Sequence, residues 1–208
     1  MPRTQQEAST SLRDRKKDRT RRAIQSAGLL LFAQKGFQAT TIEEIAAAAD
    51  VAPRTLFRYF PTKEEIVFWP AYRPLLAEFI AARPGDEPAV AALCHAVVDA
   101  LSAFYDQDRE RVLERLKLAF RTPALHPRLR QEQAISAFAM AKVLAGRLHM
   151  SAENLEIRAI AAAVAAALWV AVEEWQATDG GADLRTLIDR ALTTVLAGDV
   201  RSSATTAT

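Results

Sequence analysis

The chain has 208 residues, half of them hydrophobic and a quarter charged, with a formal net charge of +2 and one cysteine, Cys94. This balance excludes a disordered chain, and the length allows one large domain or a small one joined to a larger one. A single cysteine excludes an internal disulfide, and with no signal peptide opening the sequence the expected compartment is the reducing cytoplasm.

The net charge hides an asymmetry. Residues 1–63 hold 12 Lys/Arg against 6 Asp/Glu, a net of +6, while residues 64–208 hold 15 against 19, a net of −4. A basic head on a mildly acidic body implies that only the head meets a polyanion. The polar first dozen residues are expected to be disordered. The run SLRDRKKDRTRR follows, with seven Arg/Lys within residues 13–22. Alone, such a run is a solvated helix start; were the polyanion DNA, it would equally suit a phosphate or minor-groove contact. Ile24, Ala27, Gly28, Leu31 and Phe32 then make an apolar stripe at helical spacing, so a first helix runs to about Lys35 and stops at Gly36.

Thr41 with Glu44 three residues on is a capping box that opens a second, short helix with Ile42, Ile45, Ala46 and Ala49 inward. That helix ends at Asp50-Val51, where Asp50 is tolerable in a left-handed turn although glycine would cost less. Pro53 suits the first position of a third helix, and Pro61 stops it. Leu56 and Phe60, four apart, give this helix one apolar edge; Arg54, Thr55 and Arg58 occupy the opposite side, with Phe57 and Tyr59 on the borders. Two short helices joined by a tight turn read as a helix-turn-helix, and the polar edge of the second is what a major groove requires.

The remainder reads as wholly helical. Helices are expected over 62–82, 87–105, 108–121, 127–149, 152–177 and 182–197, punctuated by Pro84-Gly85, Pro123, Pro127, Ser151 and Gly180-Gly181. Thr62 and Glu65 would cap the first of these, and Pro70 and Pro74 should kink it, Pro70 being the expected place for a signalling motion. The fold class is therefore all-α, about nine helices. The expected division is a helix-turn-helix head at 1–63, a helical dimerisation body at 64–199, to which the resemblance described below adds ligand binding, and a flexible tail at 200–208. Ala159 to Val172 is apolar on every side. Its 14 residues fall short of the roughly 20 that cross a bilayer. A helix apolar all round must be buried all round, so one side is expected to meet a second copy of the chain. The last helix carries a cleaner stripe, Leu184, Leu187, Ile188, Ala191, Leu192 and Val195, and joins it in the expected interface.

The stretch FAQKGFQATTIEEIAAAADVAPRTLFRYFPTKEEIV resembles the head of the TetR family of bacterial transcriptional regulators. The resemblance rests on Gly36-Phe37, Thr40-Thr41, Ile45-Ala46, Val51, Leu56, Tyr59-Phe60 and Lys63-Glu64. Asp50, in place of the usual turn glycine, and Ala52, in place of the usual Ser-type cap, depart from the pattern. The resemblance implies Thr41 and Lys63 as phosphate contacts, and Pro53, Arg54, Thr55, Phe57, Arg58 and Tyr59 as the helix at the groove. Arginine suits that place, being the common bidentate reader of guanine, while Thr and Phe can meet the thymine methyl. It also implies a homodimer, a palindromic operator in double-stranded DNA, repression, and a small effector in the body. Within the family, RTLFRYFPTKEEIVF and the basic lead-in resemble an actinobacterial subgroup that includes mycofactocin-system regulators, associated with acyl-CoA-like ligands.

Trp69, Tyr72, Phe104, Phe120, Phe138 and Trp169 fall on helices that would surround an effector cavity, although core packing is the ordinary role of such residues. Arg121 and Arg128 could meet an anionic headgroup; as surface charges they need no such role. His95, His126 and His149 are isolated, so no metal or other cofactor is expected. Cys94 and His95, like Glu173 and Glu174, are adjacent on a helix and point about 100° apart, which denies a nucleophile–base or acid–base pair. The rivals to a ligand-responsive regulator are a small helical enzyme using the body cavity and an architectural DNA-binding protein without a ligand. The enzyme would need a coherent catalytic set, and none is visible.

Overall fold

Helix α1 runs unbroken from Gln5 to Lys35 in a computed structural model of the chain, which describes residues 5–68, 73–105 and 108–197. The disorder expected for the first dozen residues is therefore replaced, from Gln5 on, by helix. The described residues hold ten α-helices, one short 3-10 turn and no strand. They divide into two compact units, one of residues 5–68 with 122–124, the other of 73–105, 108–121 and 125–197.

In the first unit α1 is followed by α2 (Ile42–Ala48), α3 (Pro53–Tyr59) and α4 (Lys63–Phe68). Gly36 ends α1 at φ 85, and its amide donates to Phe32 O at 2.9 Å. Open space surrounds the position where a Cβ would stand, so the positive φ alone calls for glycine there. Ile24, Phe32, Phe37, Ile45, Leu56, Phe60, Ile66 and Val67 are buried and form the core of this unit. Gly28 lets α1 lie close on its neighbours: a Cβ there would stand 2.9 Å from Ile66 Cγ2. Buried Gln25 donates from Nε2 to Ile66 O at 2.9 Å, tying α4 to α1. The sequence gives no sign of this tie, because Gln25 reads as a polar gap in an apolar stripe.

The second unit comprises α5 (Arg73–Ala81), α6 (Ala89–Tyr105), α7 (Arg109–Arg121), α8 (His126–Leu148), α9 (Leu155–Ala177) and α10 (Leu184–Ala197). The helix expected over 62–82 is described as α4 and α5. Its predicted kink at Pro70, with Trp69 and Tyr72, lies outside the described residues, as does the expected tail at 200–208. Pro74 stands at the second position of α5, where its missing N–H has no helical partner to lose. Likewise Pro127 sits in the first turn of α8, which begins one residue before the expected start at 127.

Helix α9 packs between α8 and α10 at the centre of this unit. At 23 residues it exceeds the 14-residue run that marked it, and by length and composition alone it could cross a membrane. Nine of its residues, among them Ile157, Val164, Leu168 and Trp175, are buried inside the unit, as in a core helix. Asn154 caps it, accepting from Ile157 N at 3.1 Å. The stripe on α10 divides: Leu184, Ile188 and Leu192 are buried in this chain's own core, whereas Val195 is exposed, as is its neighbour Leu196 outside the stripe.

Candidate nucleic-acid interface

The site is built on two turns of helix. Pro53 is the first residue of α3, and Thr55 N and Leu56 N both find Ala52 O, at 2.8 and 3.1 Å. Ala52 offers no side-chain cap, so this first turn rests on backbone bonds and on proline's fixed φ. Leu56 and Phe60 are buried and hold α3 down; Arg54, Phe57 and Arg58 are exposed, with Thr55 and Tyr59 at the border of the buried edge. The structure thus brings the six groove residues expected from the sequence, Pro53, Arg54, Thr55, Phe57, Arg58 and Tyr59, onto one short helix. Phe57 keeps 47% of its surface exposed, a costly choice for a large apolar ring unless something covers it.

The turn before α3 takes its shape from Asp50, at φ 54, whose neighbour Val51 donates its N–H to Ala46 O at 2.9 Å. The left-handed conformation expected of Asp50 is present. Helix α2 opens with the complete capping box: Glu44 N donates to Thr41 Oγ1 at 3.2 Å and Thr41 N donates to Glu44 Oε2 at 2.8 Å. Glu44 also pairs with Lys35 at the end of α1. That ammonium first, and then the Thr41 amide, hold the Glu44 carboxyl down at about 2 from an ordinary 4.5. The Thr41 hydroxyl, expected at a phosphate, is exposed and lies 3.1 Å from Glu44 Oε2, to which it donates.

Lys63, expected at a phosphate, lies against the α1–α2 loop. Its Nζ donates to Phe37 O at 2.7 Å and Thr40 O at 2.9 Å, and lies 4.4 Å from the centre of the Phe37 ring. The ammonium gathers the carbonyls of the α1–α2 loop, which accept two of its three N–H donors at close range. Arg21, which the sequence marked only as part of a basic run, has its guanidinium 5.8 Å from the Tyr59 ring, and Arg58 stands 5.4 Å from the same ring. A basic residue on α1 therefore joins the face of α3.

The aromatics proposed for an effector cavity separate in the second unit. Phe120 and Trp169 meet, ring centres 6.3 Å apart, and the Trp169 indole N–H is buried without an acceptor. Phe138 is 54% exposed and carries Lys142 over its ring at 4.8 Å, so in this chain it lines no interior. The Phe104 side chain lies outside the described residues. Arg128 is bound to buried Glu132 at 2.6 Å, and buried Arg115 and Ser136 accompany it on α7 and α8. Burial first, then the neighbouring Arg111, lowers Arg115 to about 10, still charged at neutral pH. These buried polar groups are invisible in sequence, where each occupies an unremarkable helical position. A separate cleft of about 350 Å3 lies between α6 and α10. Arg83, His95, Val98, Asp99, Arg185, Thr186 and Asp189 line it, and Arg83 pairs with Glu87 and Asp99, and Arg185 with Asp99. Among the described residues no group of His, Cys, Asp and Glu could hold a metal ion. Buried Cys94 has its thiol pushed up to about 11 by burial, with Asp189 adding to it, which keeps it protonated and inert.

Residues 24–68 match the tetR family of bacterial regulatory proteins, and residues 87–199, more than half of the chain, match the C-terminal domain of MftR. The regulator TcmR of Streptomyces glaucescens is 33% identical over 144 residues, covering 65% of this chain and 63% of that one. MftR of Mycobacterium tuberculosis, a proposed regulator of mycofactocin biosynthesis, is 31% identical over 114 residues, covering 53% and 57%. The chain thus spans less than two thirds of the length of these relatives. Among solved structures, Thermus thermophilus FadR, a repressor in complex with lauroyl-CoA, shares the fold at a TM-score of 0.57 and 24% identity, over 90% of this chain and 100% of that one.

Proposed function

Because this chain belongs to the TetR family of bacterial regulatory proteins, we propose that it is a cytoplasmic, ligand-responsive repressor that binds a palindromic operator as a homodimer. The observation that carries the reading is α3 itself: seven residues, two buried anchors beneath it, and two arginines with an open aromatic ring above. Arginine guanidinium groups pair with guanine O6 and N7, and Phe57 and Thr55 suit the thymine methyl. Two copies of α3 in a dimer would read half-sites one helical turn of DNA apart or a multiple of it.

The interface we assign to α9 is its exposed stripe, Leu155, Ala159, Ala162, Ala166 and Val170, which falls within one face of the helix. Leu155 is 73% and Val170 62% exposed, with small alanines between them that admit close approach. Val195 and Leu196 on α10 would extend it. The effector proposed for the body is a mostly apolar small molecule, with Phe120 and Trp169 in its wall. Long-chain acyl-CoA esters are the first class to test, since FadR carries lauroyl-CoA.

Affinity for selected and scrambled duplexes across a salt series tests the central claim. The selected duplex should be preferred, and both should weaken steeply with salt through phosphate contacts. Arg54→Ala or Arg58→Ala should cost about 1–3 kcal/mol and relax the preference at a particular base pair. Equal affinity for both duplexes would instead make this an architectural DNA-binding protein.

A further inference from the structure

We infer that the basic extension of α1 is a second DNA-contacting surface, in which Lys17 and Arg21 follow the phosphate backbone beside the half-site read by α3. The inference rests on the DNA-binding reading and adds to it where the operator must extend. Three observations carry it.

Residues 15–22 are helical and continuous with the core-bearing turns at Ile24 and Phe32, so their side chains have fixed bearings. The guanidinium of Arg21 lies over Tyr59, which fixes that side of α1 beside the face of α3. Lys17 stands four residues earlier, one turn further out on the same side, and is exposed. Arg15, Arg19 and Arg22 share a different side, with Asp18 between the two sets. Arg58, Arg21 and Lys17 therefore form a cationic ridge that begins on α3 and leaves it along α1.

The helical state also decides what such a ridge can touch. An α-helix with side chains is about 10–12 Å across. The minor groove is about 6 Å wide, so this arm does not enter it as a helix. Phosphates remain. From Lys17 to Arg21 the helix rises about 6 Å, close to the axial span of two phosphates on one strand. Such contacts position the protein without reading bases.

Lys17→Gln, with a double variant of the far side (Arg15→Gln, Arg19→Gln) as its comparison, tests this on the full chain. Affinity is measured against salt for an operator duplex with long flanks and for one trimmed to the half-sites. Thermal melting confirms that both variants are folded. With one phosphate lost per protomer, Lys17→Gln should flatten the slope of log affinity against log salt by about two units on the long duplex. That is roughly a tenfold difference accumulated between 0.05 and 0.2 M salt. Arg21→Gln should act in the same direction, and Arg21→Lys should restore the slope. Trimming the flanks should bring the unaltered protein to the same shallower slope. A wild-type slope for Lys17→Gln, with operator discrimination intact, overturns this inference alone. Equal flattening by the far-side double variant also overturns it, since diffuse attraction would then replace a docked face. If the unaltered protein does not prefer its operator, the reading of the preceding subsection falls, and this one with it.

Discussion

Asp50 and Ala52 are the two residues at which this chain spends stability in its reading head. Asp50 holds φ 54, and Ala52 leaves α3 without a side-chain cap. Ala52→Ser should raise the stability of the first unit by about 1 kcal/mol, read as a higher urea midpoint with unchanged m-value. Glu44 makes a pH prediction. Its folded carboxyl sits at about 2 against an ordinary 4.5, so its contribution is complete above pH 4.5 and is lost as pH falls toward 2. Urea midpoints of the native chain and Glu44→Gln should differ at pH 6 and converge on acidification; a constant gap would deny the Lys35–Glu44 pair its part. Lys63 holds loop carbonyls, so Lys63→Ala should lower stability by about 1–3 kcal/mol and weaken every operator alike. The salt slope should stay as it was, the opposite of what a phosphate contact produces.

Helices α3 and α9 show how differently elements are held. Seven residues make too short a helix to persist alone, and α3 owes its existence to Leu56 and Phe60 beneath it. Leu56→Ala should cost about 2–5 kcal/mol and abolish operator binding, while leaving the body's helical signal in circular dichroism largely in place. By contrast α9 has an inner face already satisfied by α8 and α10 and an outer stripe that is not. Val170→Glu on that stripe should leave the protomer folded and shift it to monomer in sedimentation. Operator affinity should fall with it, because the two reading helices are then no longer linked. A folded dimer in that variant would remove α9 from the proposed interface.

At the scale of the whole molecule the proposed function is a coupling between sites. Allosteric proteins typically couple sites by about 1–3 kcal/mol, which corresponds to roughly 5- to 150-fold in operator affinity. Linkage makes the effect reciprocal: a true effector must bind the DNA-bound dimer more weakly by the same factor by which it weakens DNA. Titrating acyl-CoA esters of several chain lengths, with tryptophan fluorescence and operator binding followed together, measures both factors. A ligand that binds tightly yet leaves operator affinity unchanged would not be the signal.

Local rules were sufficient for much of this protein. The capping box at Thr41, the left-handed turn at Asp50, the stop at Gly36 and the outward set on α3 are short-range facts, decided within four residues by backbone geometry and hydrogen bonding. Helical periodicity likewise marked the apolar stripes of α1 and α10 without reference to any partner. The remainder depended on residues far apart in sequence meeting in space. Lys63 as a loop tie, Gln25 on Ile66 O, Arg21 over Tyr59, Phe138 in the open and Glu132 buried beside Arg128 were each decided by packing. A side chain's type and spacing state which bonds it can make; only the tertiary fold determines which acceptor, ring or charge stands within 3–6 Å of it.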